Sequence, residues 1–168
     1  MSRSLAICRD LADLLEYPGP RLSSRIEACI SRLEALDPGA AELVKDFQRA
    51  VGEKSAGEIE EAYTSAFDMK ADRCLYVGHQ LFGEDRRRNL FLALLNEHYQ
   101  ARGYSSGQDL PDYLPAMLRF AAEHERDAET EELIVECVIP ALRKMAAPDG
   151  FYTLPLRAVL RLLTGEAA

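Results

Sequence analysis

Gly52 and Gly57 stand at the separation of the two glycines in a phosphate-binding loop, where backbone donors would cradle a nucleotide. Glu58 and Ile59 follow where a lysine and a hydroxyl residue are needed, so a carboxylate would face the phosphates and the motif fails. Cys74 and His79 lie close enough in sequence to share a metal, but two ligands leave a tetrahedral zinc site half built. Cys8, Cys29 and Cys137 are too scattered to complete it, and all four cysteines read as reduced thiols, mostly in the core. A carboxylate-bridged di-iron bundle needs glutamate three residues before histidine. His79, His98 and His124 have Tyr76, Leu95 and Ala121 there instead. These residues predict no catalytic group, no metal site and no cofactor.

Charge offers two further candidates. Arg86, Arg87 and Arg88 could hold phosphate, which makes a weak nucleotide-binding enzyme the alternative from a different class. Successive helical residues point about 100° apart, so the three cannot converge. At least one should reach solvent while another pairs with Glu84, Asp85 or Asp68. The acidic run Glu123, Glu125, Asp127, Glu129, Glu131 and Glu132 is either a solvated face or a surface for a cationic peptide. With a net charge of -8, nucleic acid and anionic membrane are poor partners, and a helix-turn-helix transcription factor is disfavoured.

The elements that must position these residues are all helical. Leu5, Cys8, Leu11, Ala12 and Leu15 predict a helix over about 4–16, ended by Tyr17, Pro18, Gly19 and Pro20. Leu22, Ile26, Cys29, Ile30 and Leu33 predict a second over 21–36. Asp37, Pro38 and Gly39 read as a turn before a shorter helix with Leu43, Val44, Phe47 and Val51 inward. Ser55 three residues before Glu58 is a capping-box spacing and starts a helix to about Asp68. Met69 to Gly83 reads as irregular or weakly helical. Leu110, Leu114, Leu118 and Ala122 predict a helix to His124. Another starts near Ala128 and is kinked by Pro140, and the last uses Leu154, Leu156, Val159, Leu160 and Leu163. Strand periodicity is absent. The expectation is a single all-α domain over 1–168, a bundle of about seven or eight helices.

Tyr76 to Gly103 organises this reading. The run Leu90, Phe91, Leu92, Ala93, Leu94 and Leu95, with Tyr99 one turn on, predicts a helix at the centre of the bundle, closed by Gly103 as a left-handed cap. The apolar run at Leu5–Cys8 is too short for a signal-peptide core, and nothing approaches the ~20 apolar residues of a membrane span. The expected location is the cytoplasm, without direct membrane insertion.

Taken in order, Leu14, Leu15, Tyr17 and Pro18; Tyr63, Phe67 and Asp68; Leu75, Tyr76 and His79; Gly83 and Asp85 to Arg88; Tyr99 and Gly103; and Leu110 to Pro115 resemble the NarJ-type nitrate reductase molybdenum cofactor assembly chaperones. These are redox-enzyme maturation proteins of the TorD/DmsD-like superfamily. The resemblance implies a TorD-like all-α chaperone without turnover. It would bind the N-terminal segment of a molybdoenzyme large subunit and assist cofactor insertion and complex assembly. The client would be a nitrate reductase or, alternatively, another twin-arginine-exported molybdoenzyme. The chaperone would act as a monomer, with a dimer as the alternative. Relatives often carry histidine where this chain has Tyr113, which departs from any role needing an imidazole there. A client groove needs an apolar floor and a charged rim. Tyr63, Phe67, Tyr76, Phe82 and Leu114 are its candidate floor. Asp68, Asp85 and Asp112 are candidates to meet a client arginine or free amine, and His79, Arg86, Arg87, Arg88 and Tyr113 complete the site. On this reading, Asp112→Ala should weaken client binding more than stability.

Overall fold

Residues 5–167 are described by a computed structural model. The first helix is a 3-10 turn, Leu5–Ile7, running into α1, Cys8–Leu14. Ser4, its expected start, lies outside the described residues. Leu11, Ala12, Leu14 and Leu15 have no solvent exposure, because α1 is enclosed by α2 (Leu22–Leu36), α7 (Leu114–Glu123) and α10 (Thr153–Thr164). Arg119 of α7 reaches Asp13 at 2.9 Å and Glu16 at 2.7 Å, so the ion pairs lie at the edge of that packed seam. The centre of the bundle is therefore α1.

Helix α3, Pro38–Gly52, starts earlier than expected. Asp37 accepts from the backbone of Gly39 at 3.0 Å and Ala40 at 3.1 Å, and Pro38 sits in the first turn, where its missing donor costs nothing. Asp-Pro-Gly is thus a helix start rather than a turn. Arg161 of α10 donates to the same carboxylate at 2.9 Å, tying α10 to the head of α3. The capping box at Ser55 and Glu58 is present and opens α4, Ala56–Phe67. The weakly helical stretch contains a short helix, α5, Val77–Phe82, and α6 follows as Arg86–Ala101. Gly103 adopts the left-handed φ of 66° expected of it.

Three expectations are corrected. Helix α7 starts at Leu114, and Leu110 is 46% exposed, because the turn before Pro115 sends Asp112 inward instead. Pro140 does not interrupt a continuous α-helix but sits in the first turn of a new one. A π turn at Ile134–Val138 joins α8 (Ala128–Leu133) to α9 (Ile139–Met145) and widens the backbone just before the proline ring. Counting 128–145 as one rod, the described residues hold nine helices. Finally, α6 is not central: of its sixteen residues only Leu95 and Tyr99 are buried. An apolar run satisfied on one face leaves the other apolar face uncovered, and here it stays uncovered.

Among the described residues, no helix is long and apolar enough to cross a membrane.

Candidate functional site

Part of the family resemblance, Leu75, Tyr76, Arg88, Tyr99 and Pro111 to Leu114, meets at one junction. The segments Leu75–Val77 and Asp112–Leu114 run antiparallel: the Val77 amide donates to the Asp112 carbonyl and the Leu114 amide to the Leu75 carbonyl, both at 2.8 Å. The Asp112 carboxylate accepts from the Gly78 amide at 3.0 Å and from Arg88 Nε at 3.1 Å. It therefore caps α5 from a distant part of the chain, a negative group at a helix start. Gly78 permits the approach, since a Cβ there would lie 2.7 Å from Asp112 Oδ2 and 2.9 Å from the Phe91 ring. The Arg88 guanidinium also lies 5.6 Å from the Tyr76 ring centre, and Tyr76 packs on Tyr113 at 5.6 Å. Tyr99 donates to the Pro111 carbonyl at 2.8 Å. Beside this junction, buried Gln80 donates to the carbonyls of Asp72 and Cys74, which holds the loop into α5.

The junction corrects the role assigned to several candidates. Asp112 does meet an arginine, but it is the chain's own Arg88, and both Asp112 and Leu114 have no solvent exposure. A docking segment cannot reach either without unlocking α5 from α7. Tyr63 and Phe67 are likewise core: with Tyr152 they form an aromatic cluster with ring centres 5.0 to 5.7 Å apart. The Tyr63 hydroxyl donates to the Leu15 carbonyl, and burial pushes its pKa up to about 12. Phe67 keeps only an edge on a hollow of about 250 Å³ beside Arg73 and Asp149.

The remaining candidates are accessible in part. Tyr76, His79, Phe82 and Tyr113 are half-buried, and Asp68, Asp85, Arg86 and Arg87 are exposed. Asp85 caps α6 by accepting from the Arg87 amide at 2.8 Å, and that bond with the Arg87 side chain holds its carboxyl below the usual carboxylate range. Arg87 also lies over the Phe82 ring, which packs on Phe91. With Arg88 on Asp112 and Arg87 on Asp85, the arginines do not form a shared phosphate cradle.

Beyond Phe91 the surface opens. Leu90 and Leu94, one turn apart on α6, are 61% and 55% exposed. Next to them a groove of about 460 Å³ runs between α6 and the 128–145 rod. Phe91, Leu94, Leu95, Leu133 and Cys137 make its apolar lining, and Glu129, Glu132 and Glu136 line it along the rod. One end is closed by Arg102, which pairs with Asp127, donates to Glu129 at 2.6 Å and contacts His98 Nδ1 at 3.0 Å. His98, Asp127 and Glu129 are the described residues that come close enough to share a metal ion. The guanidinium already supplies the cation at that spot. Burial, then the Arg102 charge, lowers the His98 pKa and favours the neutral ring.

Two comparisons with known proteins bear on this geometry. The family model described as "Nitrate reductase delta subunit" matches residues 33–146, more than half of the chain. The chain belongs to this family. A relative in Bacillus subtilis (strain 168), named probable nitrate reductase molybdenum cofactor assembly chaperone NarJ, is 32% identical over 108 residues. That match covers 61% of this chain and 58% of the relative, so it spans well under two thirds of the relative's length.

The part matched by the nitrate reductase delta subunit family contains the junction, α6 and the whole groove, whereas α1 and α10 lie outside it. A roomier hollow of about 610 Å³ lies between α2, α3 and the start of α4, floored by Ile26, Val51 and Ile59. Its rim balances Lys54 against Glu60 and contains none of the candidate client-binding residues. Sequence reasoning missed Leu90 and Leu94 as surface residues, and Leu133, Glu136 and Cys137 as their neighbours. The available signal was α6 itself, which carries apolar side chains around more of its circumference than one buried face can use.

Proposed function

We propose that this protein is a cytoplasmic chaperone for a molybdoenzyme of the nitrate reductase type. It binds the N-terminal segment of the catalytic subunit and holds it while the molybdenum cofactor is inserted and the complex assembles. Family membership and the name of the Bacillus subtilis relative support the client class. The observation that carries the binding role is the uncovered apolar face of α6, where Leu90 and Leu94 stand exposed beside an open groove. Two large apolar side chains one turn apart, beside an unfilled apolar hollow, suit the apolar face of an incoming segment. The reading involves no catalytic turnover. Phe82 and Arg87 extend the same surface towards the start of α6, and Asp68, Asp85, Arg86, His79, Tyr76 and Tyr113 remain candidate rim contacts.

Isothermal titration with a peptide copied from the first ~20 residues of the catalytic subunit, about 30 Å if helical, tests the proposal. Saturable binding is expected for the nitrate reductase peptide, and weaker or no binding for peptides from twin-arginine-exported molybdoenzymes. Absence of saturable heat with the folded protein contradicts it. Tighter binding of an exported enzyme's peptide would reassign the client.

A further inference from the structure

We propose that the groove between α6 and the 128–145 rod selects a cationic amphipathic helix, whose basic residues lie along one edge of its apolar face. The inference deepens the chaperone reading and rests on it for the identity of the client, but it has its own physical basis. The lining has two unlike walls. On α6, Phe91, Leu94 and Leu95 are apolar, and Leu90 continues that surface one turn further out. On the rod, Glu129, Glu132 and Glu136 are spaced by three and four residues, one carboxylate per turn over about 10 Å of helix.

Glu129 already shows what this wall takes, because the Arg102 guanidinium lies on it at 2.6 Å. Glu132 and Glu136 have no ion-pair partner among the described residues, although they border the same hollow as Leu133 and Cys137. An occupant that buries leucine-like side chains against Leu90, Leu94 and Leu133 brings its flanking residues to these two carboxylates. Lysine or arginine three or four positions apart would then pair with both. A neutral apolar segment would leave both carboxylates partly desolvated without a counter-charge. A second copy of this chain is disfavoured as occupant, since it would bring a net charge of -8 and its own acidic wall to the contact.

The test uses the full chain and two designed probes of about 15 residues, roughly four helical turns. Both carry leucines on one face; one has lysines along its edge, and the other has glutamates at the same positions. The wild-type protein should bind the lysine probe and not the glutamate probe. Affinity should fall as salt rises from about 0.05 to about 0.5 M. E132K/E136K, two exposed changes, should lower affinity for the lysine probe by about tenfold or more and raise it for the glutamate probe. Thermal melts check that the variant stays folded, and L94D provides a second variant that should abolish binding of the lysine probe. Equal binding of the two probes by wild type, or no response to the charge reversal, overturns the inference. Self-association lost in L94D would identify a second copy as occupant and overturn it too. If the lysine probe binds as stated while the client peptide does not, the groove inference stands and the chaperone reading fails. The converse result leaves the chaperone reading standing and the groove inference overturned.

Discussion

Asp112 keeps its side chain out of solvent between a backbone donor and a guanidinium, so removing it strands both partners. Asp112→Ala is expected to cost about 3 kcal/mol or more in chemical denaturation, since breaking a buried pair leaves an uncompensated charge. Asp112→Asn keeps an acceptor for Gly78 and should cost less. This reverses the expectation formed from sequence, in which Asp112 served the client first. His98 makes a second residue-scale prediction. Its folded pKa is lowered by burial and by Arg102, while Glu129 and Asp127 oppose and His124 adds to the lowering. The folded state therefore binds fewer protons than the unfolded chain. Its stabilising contribution is complete above the unfolded pKa of about 6.5 and is lost as pH falls through and below that value. Denaturation midpoints between pH 5 and 7.5 should show this loss for wild type and a flatter profile for His98→Gln. A wild-type profile no steeper than that of the variant would contradict it.

At the scale of elements, α6 separates support from display. Leu95 is buried, and Leu95→Ala should cost about 2–5 kcal/mol in the cavity it opens. Leu90 and Leu94 are exposed, so L90S/L94S should change stability by no more than about 0.5 kcal/mol at each position while lowering affinity for the client peptide. Comparable losses of stability at all three positions would show that α6 is packed on both faces. Ser55→Ala offers a calibration away from the site, with an expected cost of about 1 kcal/mol from the lost cap. The capping box was legible because its two partners are three residues apart. The partnership of Arg88 with Asp112 was not, because twenty-four residues separate them and only the fold brings them together. The depth of α6 was misread for a related reason: apolar content tells that a face avoids water, but not whether this chain or another covers it.

Over the whole molecule, helix periodicity and turn residues sufficed for an all-α chain, and the order of residues from Leu14 to Pro115 sufficed for the family. What periodicity could not supply was the arrangement. The residues that mark the family look like a binding site in sequence, yet Asp112, Leu114, Tyr63 and Phe67 are spent on holding α1, α4, α5 and α7 together. The client surface proposed above lies beside that framework, on residues that no short motif marks. The net charge of -8 opposes self-association across the exposed leucines, and a monomer is expected in sedimentation at low salt. The most direct test of the account is a map of amide chemical-shift changes on titrating the protein with the client's N-terminal peptide. The account predicts that the largest changes fall on Leu90, Leu94, His98, Leu133, Glu136 and Cys137. Changes centred instead on Ile26, Val51 and Ile59, in the larger hollow, would contradict it.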